Sequence, residues 1–199
     1  MRKTPQEFRR ENVKNLFDKI LTSQKISLQP LKIVVNETWQ SDFTTVDLEM
    51  SQVQGDTKKT IHVMEVEAKG FVDGIFKACH KTFLQEFGSL ENIKLVDYKL
   101  VPKFKKENSK TGSDASVEVS VAMEVRDHGV AEFNSSSRSI LYSSLVATLE
   151  AFEFYINCEK TFKKIKLILE DAKQRNRGDI VQSCVSDLSK LTEVNTYHG

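Results

Sequence analysis

The sequence predicts an α+β fold: two pseudo-symmetric antiparallel strand units, each followed by a helix (a duplicated βββα plan), with helical extensions at both ends. Three observations predict it. Residues 61–87 run from an alternating strand through a glycine into an amphipathic helix, and residues 117–156 repeat that plan. Apolar residues recur at period two before each break and at three- and four-residue steps after it, the signatures of strand and helix. The turn chemistry (QGDTKK, ENSKTGSD, RDHG) falls between the alternating runs, as a meander requires.

The elements follow in order. Residues 5–22 read as a helix that Thr4 caps, with Pro5 at its first position. Phe8, Val13, Leu16, Phe17, Ile20 and Leu21 form its apolar stripe. Ser23 to Gln29 is read as a connector ended by Pro30, leaving 31–36 (LKIVVN) as a short strand. Over 43–53, Thr44, Val46, Leu48 and Met50 share one face. The strand at 60–68 places Met64, Val66 and Ala68 together. Gly70 breaks it, and Val72, Ile75, Phe76, Cys79, Phe83 and Phe87 stripe a helix that Gly88 caps.

The second unit opens near Ile93, with Val96, Tyr98 and Leu100 on one face. Residues 107–114 are a hairpin tip. In 117–125, Val117, Val119, Val121, Met123 and Val125 alternate without error, so register is tightly specified. Residues 130–133 form a short return strand, and a Ser-rich turn opens a long helix from about Ser137 to Asn176 or Gly178. About forty residues would reach roughly 60 Å, so this helix is expected to bend, break or pack its far end on another subunit. A last helix spans about 179–192. The domain plan is therefore 1–27 as an N-terminal helical extension, 28–158 as the duplicated unit and 159–199 as a C-terminal helical extension.

Composition narrows the function. The formal net charge of +1 draws the chain to neither nucleic acid nor membrane. Cys79, Cys158 and Cys184 are odd in number and widely spaced, which reads as a reduced, cytoplasmic protein. No run approaches the roughly 18 apolar residues of a membrane span, and the charged N-terminus lacks a signal core. His62, His80, His128 and His198 form no metal-ligand spacing, and no nucleophile or phosphate-loop motif is present. The chain is expected to be non-catalytic, with no metal and no cofactor. Cys79–His80 reads as core thiol plus surface imidazole. The lysines at 99, 103, 105, 106 and 110 read as a solvated arm, with nucleic-acid binding as a lesser alternative.

The segments GFVDGIFKA, KLVDYKL and SSSRSILYSSLVATLEAFEFYIN, over about residues 28–158, carry a resemblance. They resemble the C-terminal regulatory, or dimerisation, domain of the α-isopropylmalate synthase and citramalate synthase family. Gly70, Val72 and Asp73 match that family's first turn, and Asp97–Tyr98 its D-Y strand. Ser113, Asp114 and Ala115 match its hairpin tip, and Ser135 to Ser139 with Asn157 its second helix. Lys69, Phe71 and Gly74 depart from the family turn, which carries a small or polar residue, proline and alanine there. Arg138 stands where aspartate is common.

The resemblance implies a homodimer, a leucine or isoleucine effector at the interface, and a catalytic synthase in cis or in trans. The chain itself is read as standalone or as a fragment of such an acyltransferase. The effector residues it implies are Gly70, Phe71, Val72, Asp73, Asp97, Tyr98, Ser135, Ser136 and Ser137. Their chemistry is consistent with that role. Helix N-termini offer N–H donors to a carboxylate, Asp73 or Asp97 would take the ammonium, and Tyr98 would wall the hollow. In the other reading, Asp73 and Ser137 are caps, Tyr98 is core, and the module is a purely structural oligomerisation domain.

Overall fold

The computed structural model describes residues 5–103 and 116–197. Helix α1 (Pro5–Ile20) leads into a sheet of β1 (Ile26–Glu37), β2 (Thr44–Gln54) and β3 (Thr57–Ala68), followed by α2 (Phe71–Phe83). The second sheet is β4 (Ile93–Lys103), β5 (Ser116–Val125) and β6 (Gly129–Ser137), followed by α3 (Ile140–Gln174) and α4 (Gly178–Thr192). Both sheets are antiparallel meanders, ordered β1-β2-β3 and β4-β5-β6. The duplicated βββα plan and the terminal helices are therefore present. Thr4, the 107–114 tip with Ser113, Asp114 and Ala115, and His198 lie outside the described residues.

The strands depart from simple alternation at three bulges. In β1 the register shifts between Pro30 and Lys32, so β1 runs through the expected connector. Proline has no N–H to give a ladder, and an edge strand at a bulge tolerates it. In β4 the shift falls between Leu95 and Asp97. The skipped residues, Leu31 and Val96, are 47% and 46% exposed, so the duplication extends to this irregularity. Val96 leaves the face of Tyr98 for that reason. The third shift sets Asp47 of β2 opposite both Met64 and Glu65. Glu65 adopts φ 54°, and its N–H donates to Asp47 Oδ1 at 2.7 Å. Met64 consequently turns outward, 63% exposed, instead of joining buried Val66 and Ala68.

Helix α2 lies close on β2 and β3. A Cβ on Gly74 would fall 2.4 Å from Val46 Cγ2, so the crossing needs a residue without a side chain. Gly88 does not cap α2; it opens a 3-10 turn, Gly88–Asn92. Helix α3 is covered on several sides, as its wide apolar arc requires. Phe152 meets Phe76 and Phe83 of α2, and Phe154 meets Phe17 of α1 and Phe133 of β6. Phe8, in contrast, stays exposed outside the α1 stripe.

Two α3 side chains one turn apart cover the first residues of the outer edge of β1. Asn157 accepts from Ile26 N–H at 2.9 Å and donates to Ile26 C=O at 2.8 Å. Glu153 accepts from Leu28 N–H at 2.9 Å. Helix α3 then runs on unbroken for 35 residues, roughly 50 Å. Its far end packs on α4 of the same chain rather than needing another subunit. It stops where Asn176 takes a left-handed φ of 53°, with Arg177 N–H on Ala172 C=O and Asn176 N–H on Lys173 C=O. The 88–92 turn and the C-terminal tail are held by polar and stacking contacts. Buried Glu159 accepts from Ser89 N–H at 2.9 Å and pairs with Lys163. Asn92 donates to Thr196 C=O, and Tyr197 stacks on Phe162 at 4.4 Å.

Candidate functional site

The two helix starts meet on one strand. Tyr98 of β4 sets its ring edge-on to Phe71, the first residue of α2, at 6.1 Å. Its hydroxyl lies 2.8 Å from Ser144 Oγ, one turn into α3. Ser144 donates its own proton to Ile140 C=O at 2.7 Å, so Tyr98 is the donor between them. Burial raises the Tyr98 pKa, which keeps that donor protonated.

Around this contact the nine sequence-predicted residues separate into groups. Gly70 is the N-cap of α2 in extended geometry, with no side-chain cap on the helix. Phe71 is half-buried beside Tyr98, while Val72 is buried in the core. Asp73 is not the cap. It sits inside the first turn, reaches back to Lys69 N–H at 3.3 Å and pairs with Lys77 at 2.8 Å. Asp97 is exposed, accepts from Tyr98 N–H at 2.8 Å and pairs with Lys99 at 3.0 Å. The hydrogen bond from Lys99 holds its carboxyl below the ordinary value, helped by that backbone bond.

Ser135, Ser136 and Ser137 do not form a turn. They are the last residues of β6, paired with Val119, Glu118 and Val117. The strand continues because β5 offers a partner for each residue, which overrides the turn preference of serine. Alternation puts Ser135 and Ser137 half-buried on one face and Ser136 exposed on the other. Ser137 Oγ bridges Ser139 and Ser143, the latter at 2.7 Å. The N-cap of α3 is Ser139, whose Oγ accepts from Tyr142 N–H at 3.2 Å.

Two features of this region were not foreseen. Ser144 completes the junction, although a serine in a helical run carries no distinguishing pattern. Ile140, Leu141 and Tyr142 are all exposed at the start of α3. Consecutive helical residues point about 100° apart, so three apolar ones in a row cannot all face one core; that was the available signal. With Leu100 and Val101 of β4 also exposed, the surroundings of the junction are rich in apolar surface.

Catalytic groups do not gather here. Among the described residues no group of three His, Cys, Asp or Glu side chains is placed to hold a metal. Cys79, Cys158 and Cys184 are free and buried, and burial alone pushes the Cys79 thiol up to about 12. No described helix is long and apolar enough to cross a membrane. Lys99 and Lys103 of the basic arm are committed to Asp97, Glu132 and Glu118. Lys105, Lys106 and Lys110 lie outside the described residues.

No curated protein matches the chain. A family match, described as the LeuA allosteric (dimerisation) domain, covers residues 7–156, well over half of the sequence. It takes in both βββα units and stops within α3, short of α4. The chain belongs to the LeuA allosteric (dimerisation) domain family.

Proposed function

We propose that this chain is a non-catalytic regulatory module that pairs with a second copy of itself and senses a branched-chain amino acid, leucine or isoleucine. Its cytoplasmic partner is a catalytic synthase of the isopropylmalate or citramalate type, fused to it or bound in trans. The observation that carries this reading is Tyr98, which joins the start of α2 through Phe71 and the start of α3 through Ser144. Free N–H groups at a helix start favour a carboxylate, and α2 begins at Gly70 without a side-chain cap. Asp73 and Asp97 each hold a lysine ammonium already, so an effector's ammonium would exchange with it. Ser135, Ser136 and Ser137 would border the site from β6, and Val72 would support it from below. A second copy would cover the exposed Ile140, Leu141, Tyr142, Leu100 and Val101. An effector that favours one arrangement of the pair shifts that equilibrium and so acts on the synthase.

A second reading is a dimerisation domain without an effector. Phe71 against Tyr98 favours it, because the chain fills its own hollow there. Calorimetry with leucine, isoleucine and valine, run beside analytical ultracentrifugation, separates the two. Heat at millimolar ligand with a dimer supports sensing. A dimer that gives no heat supports the scaffold, and a strict monomer removes both.

A further inference from the structure

The connection between β1 and β2 presents the only tryptophan of the sequence. Ser41 N–H donates to Thr38 C=O at 2.9 Å, which closes a β-turn with Trp39 at its first corner. Phe43 N–H donates to Ser41 Oγ at 3.1 Å and ties that turn to the start of β2. Trp39 is 101% exposed, so no other part of the chain covers it, and Phe43 is exposed as well. Apolar side chains exposed singly are ordinary. A tryptophan carried on a hydrogen-bonded corner differs, because the backbone beneath it is already ordered and a contact there costs less entropy.

This turn stands at the end of the molecule where the two helices start. Glu37 pairs with Thr44, and Thr44 with Ala68, two residues before Gly70 and the start of α2. Phe71 meets Tyr98, and Tyr98 meets Ser144 one turn into α3. The exposed Ile140, Leu141 and Tyr142 therefore belong to the same end. The charges there are opposite in sign. From residue 37 to residue 43 the chain carries Glu37 and Asp42 and no cation, whereas Lys69 and Arg138 stand exposed just ahead of α2 and α3. We infer that the β1–β2 turn of one copy docks on the α3 start of a second copy, with Trp39 as the anchor against Ile140, Leu141 and Tyr142. A second copy is the occupant because the chain belongs to a dimerisation family; the inference rests on the pairing proposed above and names what completes it. Two-fold symmetry makes the contact reciprocal, so each copy gives one indole and receives one. Tryptophan is among the residue types that dominate binding at interfaces, and the opposite charges around it set the orientation. The helix-start junction of each copy is thus completed by the turn of the other.

With a single indole in the chain, fluorescence reads the contact directly. The full chain is carried through its dimerisation range, set by analytical ultracentrifugation, and Trp39 emission is expected to move to the blue as the ring leaves water. Trp39→Ala is expected to weaken dimerisation by about tenfold or more, with circular dichroism unchanged because nothing in its own chain covers that side chain. Ile140→Asp is expected to weaken it similarly and to hold the emission at the monomer position. The two variants mixed are expected to pair more tightly than either alone, since an intact Trp39 on one then meets an intact α3 start on the other. If Ile140→Asp does not fold, the emission shift and Trp39→Ala decide. Emission that does not move in a proven dimer, a dissociation constant unmoved by Trp39→Ala, or a mixture no tighter than its parts overturns the proposal and leaves the paired module standing. A strict monomer overturns both.

Discussion

The two βββα units share a plan and differ in how far their helices reach. Each has a first strand with a one-residue bulge, at Leu31 or Val96, and each closes with a helix packed on its sheet. Helix α2 has 13 residues, and no side chain from it hydrogen-bonds to the β4 backbone among the described residues. Helix α3 has 35 and brings Glu153 and Asn157 onto the edge of β1. The start of β1 is thus held by α3 within the chain. Both sheets keep apolar side chains exposed, Leu31 and Met64 in the first and Val96, Leu100 and Val101 in the second. Duplication fixes the strand pairing, whereas helix length decides whether a helix reaches back to the other sheet.

The most forceful way to break the comparison is Asn157→Ala. It removes a side chain that is 1% exposed and strands both Ile26 N–H and C=O. We expect a loss of about 2–4 kcal/mol in urea unfolding, and a loss under 1 would mean that the edge does not need sealing.

Gly74→Ala comes next, at about 1–3 kcal/mol, because its methyl collides with Val46. Adding Val46→Ala is expected to recover part of the loss, measured as a double-mutant cycle. The family's alanine would then fit, and strict additivity would refute the contact. Capping is smaller. Ser139→Ala is expected to cost about 1 kcal/mol. Gly70→Ser, into open space, should gain only a few tenths. Equal and opposite effects would make the two helix starts equivalent after all.

The least effect is expected from Glu153→Gln. Burial raises the Glu153 pKa above its ordinary 4.5, despite the bond from Leu28 N–H. The folded chain therefore binds that proton more tightly than the unfolded chain. This contribution is present below the unfolded pKa and is lost as pH rises through the folded one. Glutamine keeps an acceptor without the charge, so its advantage should be widest near neutral pH and narrow towards acid. A gap that grows on acidification would reverse the sign.

Much of this architecture was legible because periodicity reports burial directly. The β5 alternation, the α2 stripe and the wide apolar arc of α3 all map onto the observed packing. The bulges were not legible, since one inserted residue leaves composition unchanged yet flips every side chain beyond it. Met64 and Val96 were placed on the wrong faces for that reason, and Pro30 marked an edge-strand bulge rather than the end of a connector. Ser135–Ser137 read as a turn because serine's local preference is visible in sequence, while the β5 partner that overrides it is not. At the junction, the duplication pointed to both helix starts, and the family resemblance to Tyr98. Ser144 and the charge-neutralising roles of Lys77 and Lys99 emerge only in three dimensions.

The seal on β1 has a practical corollary. The family boundary falls at Ile156, one position before the asparagine that covers Ile26. A fragment trimmed to that boundary would expose a raw strand border able to recruit other strands, the hazard that unprotected sheet margins pose. Such a fragment should polymerise into fibrils or precipitate during expression, whereas one cut after α3 should stay dispersed.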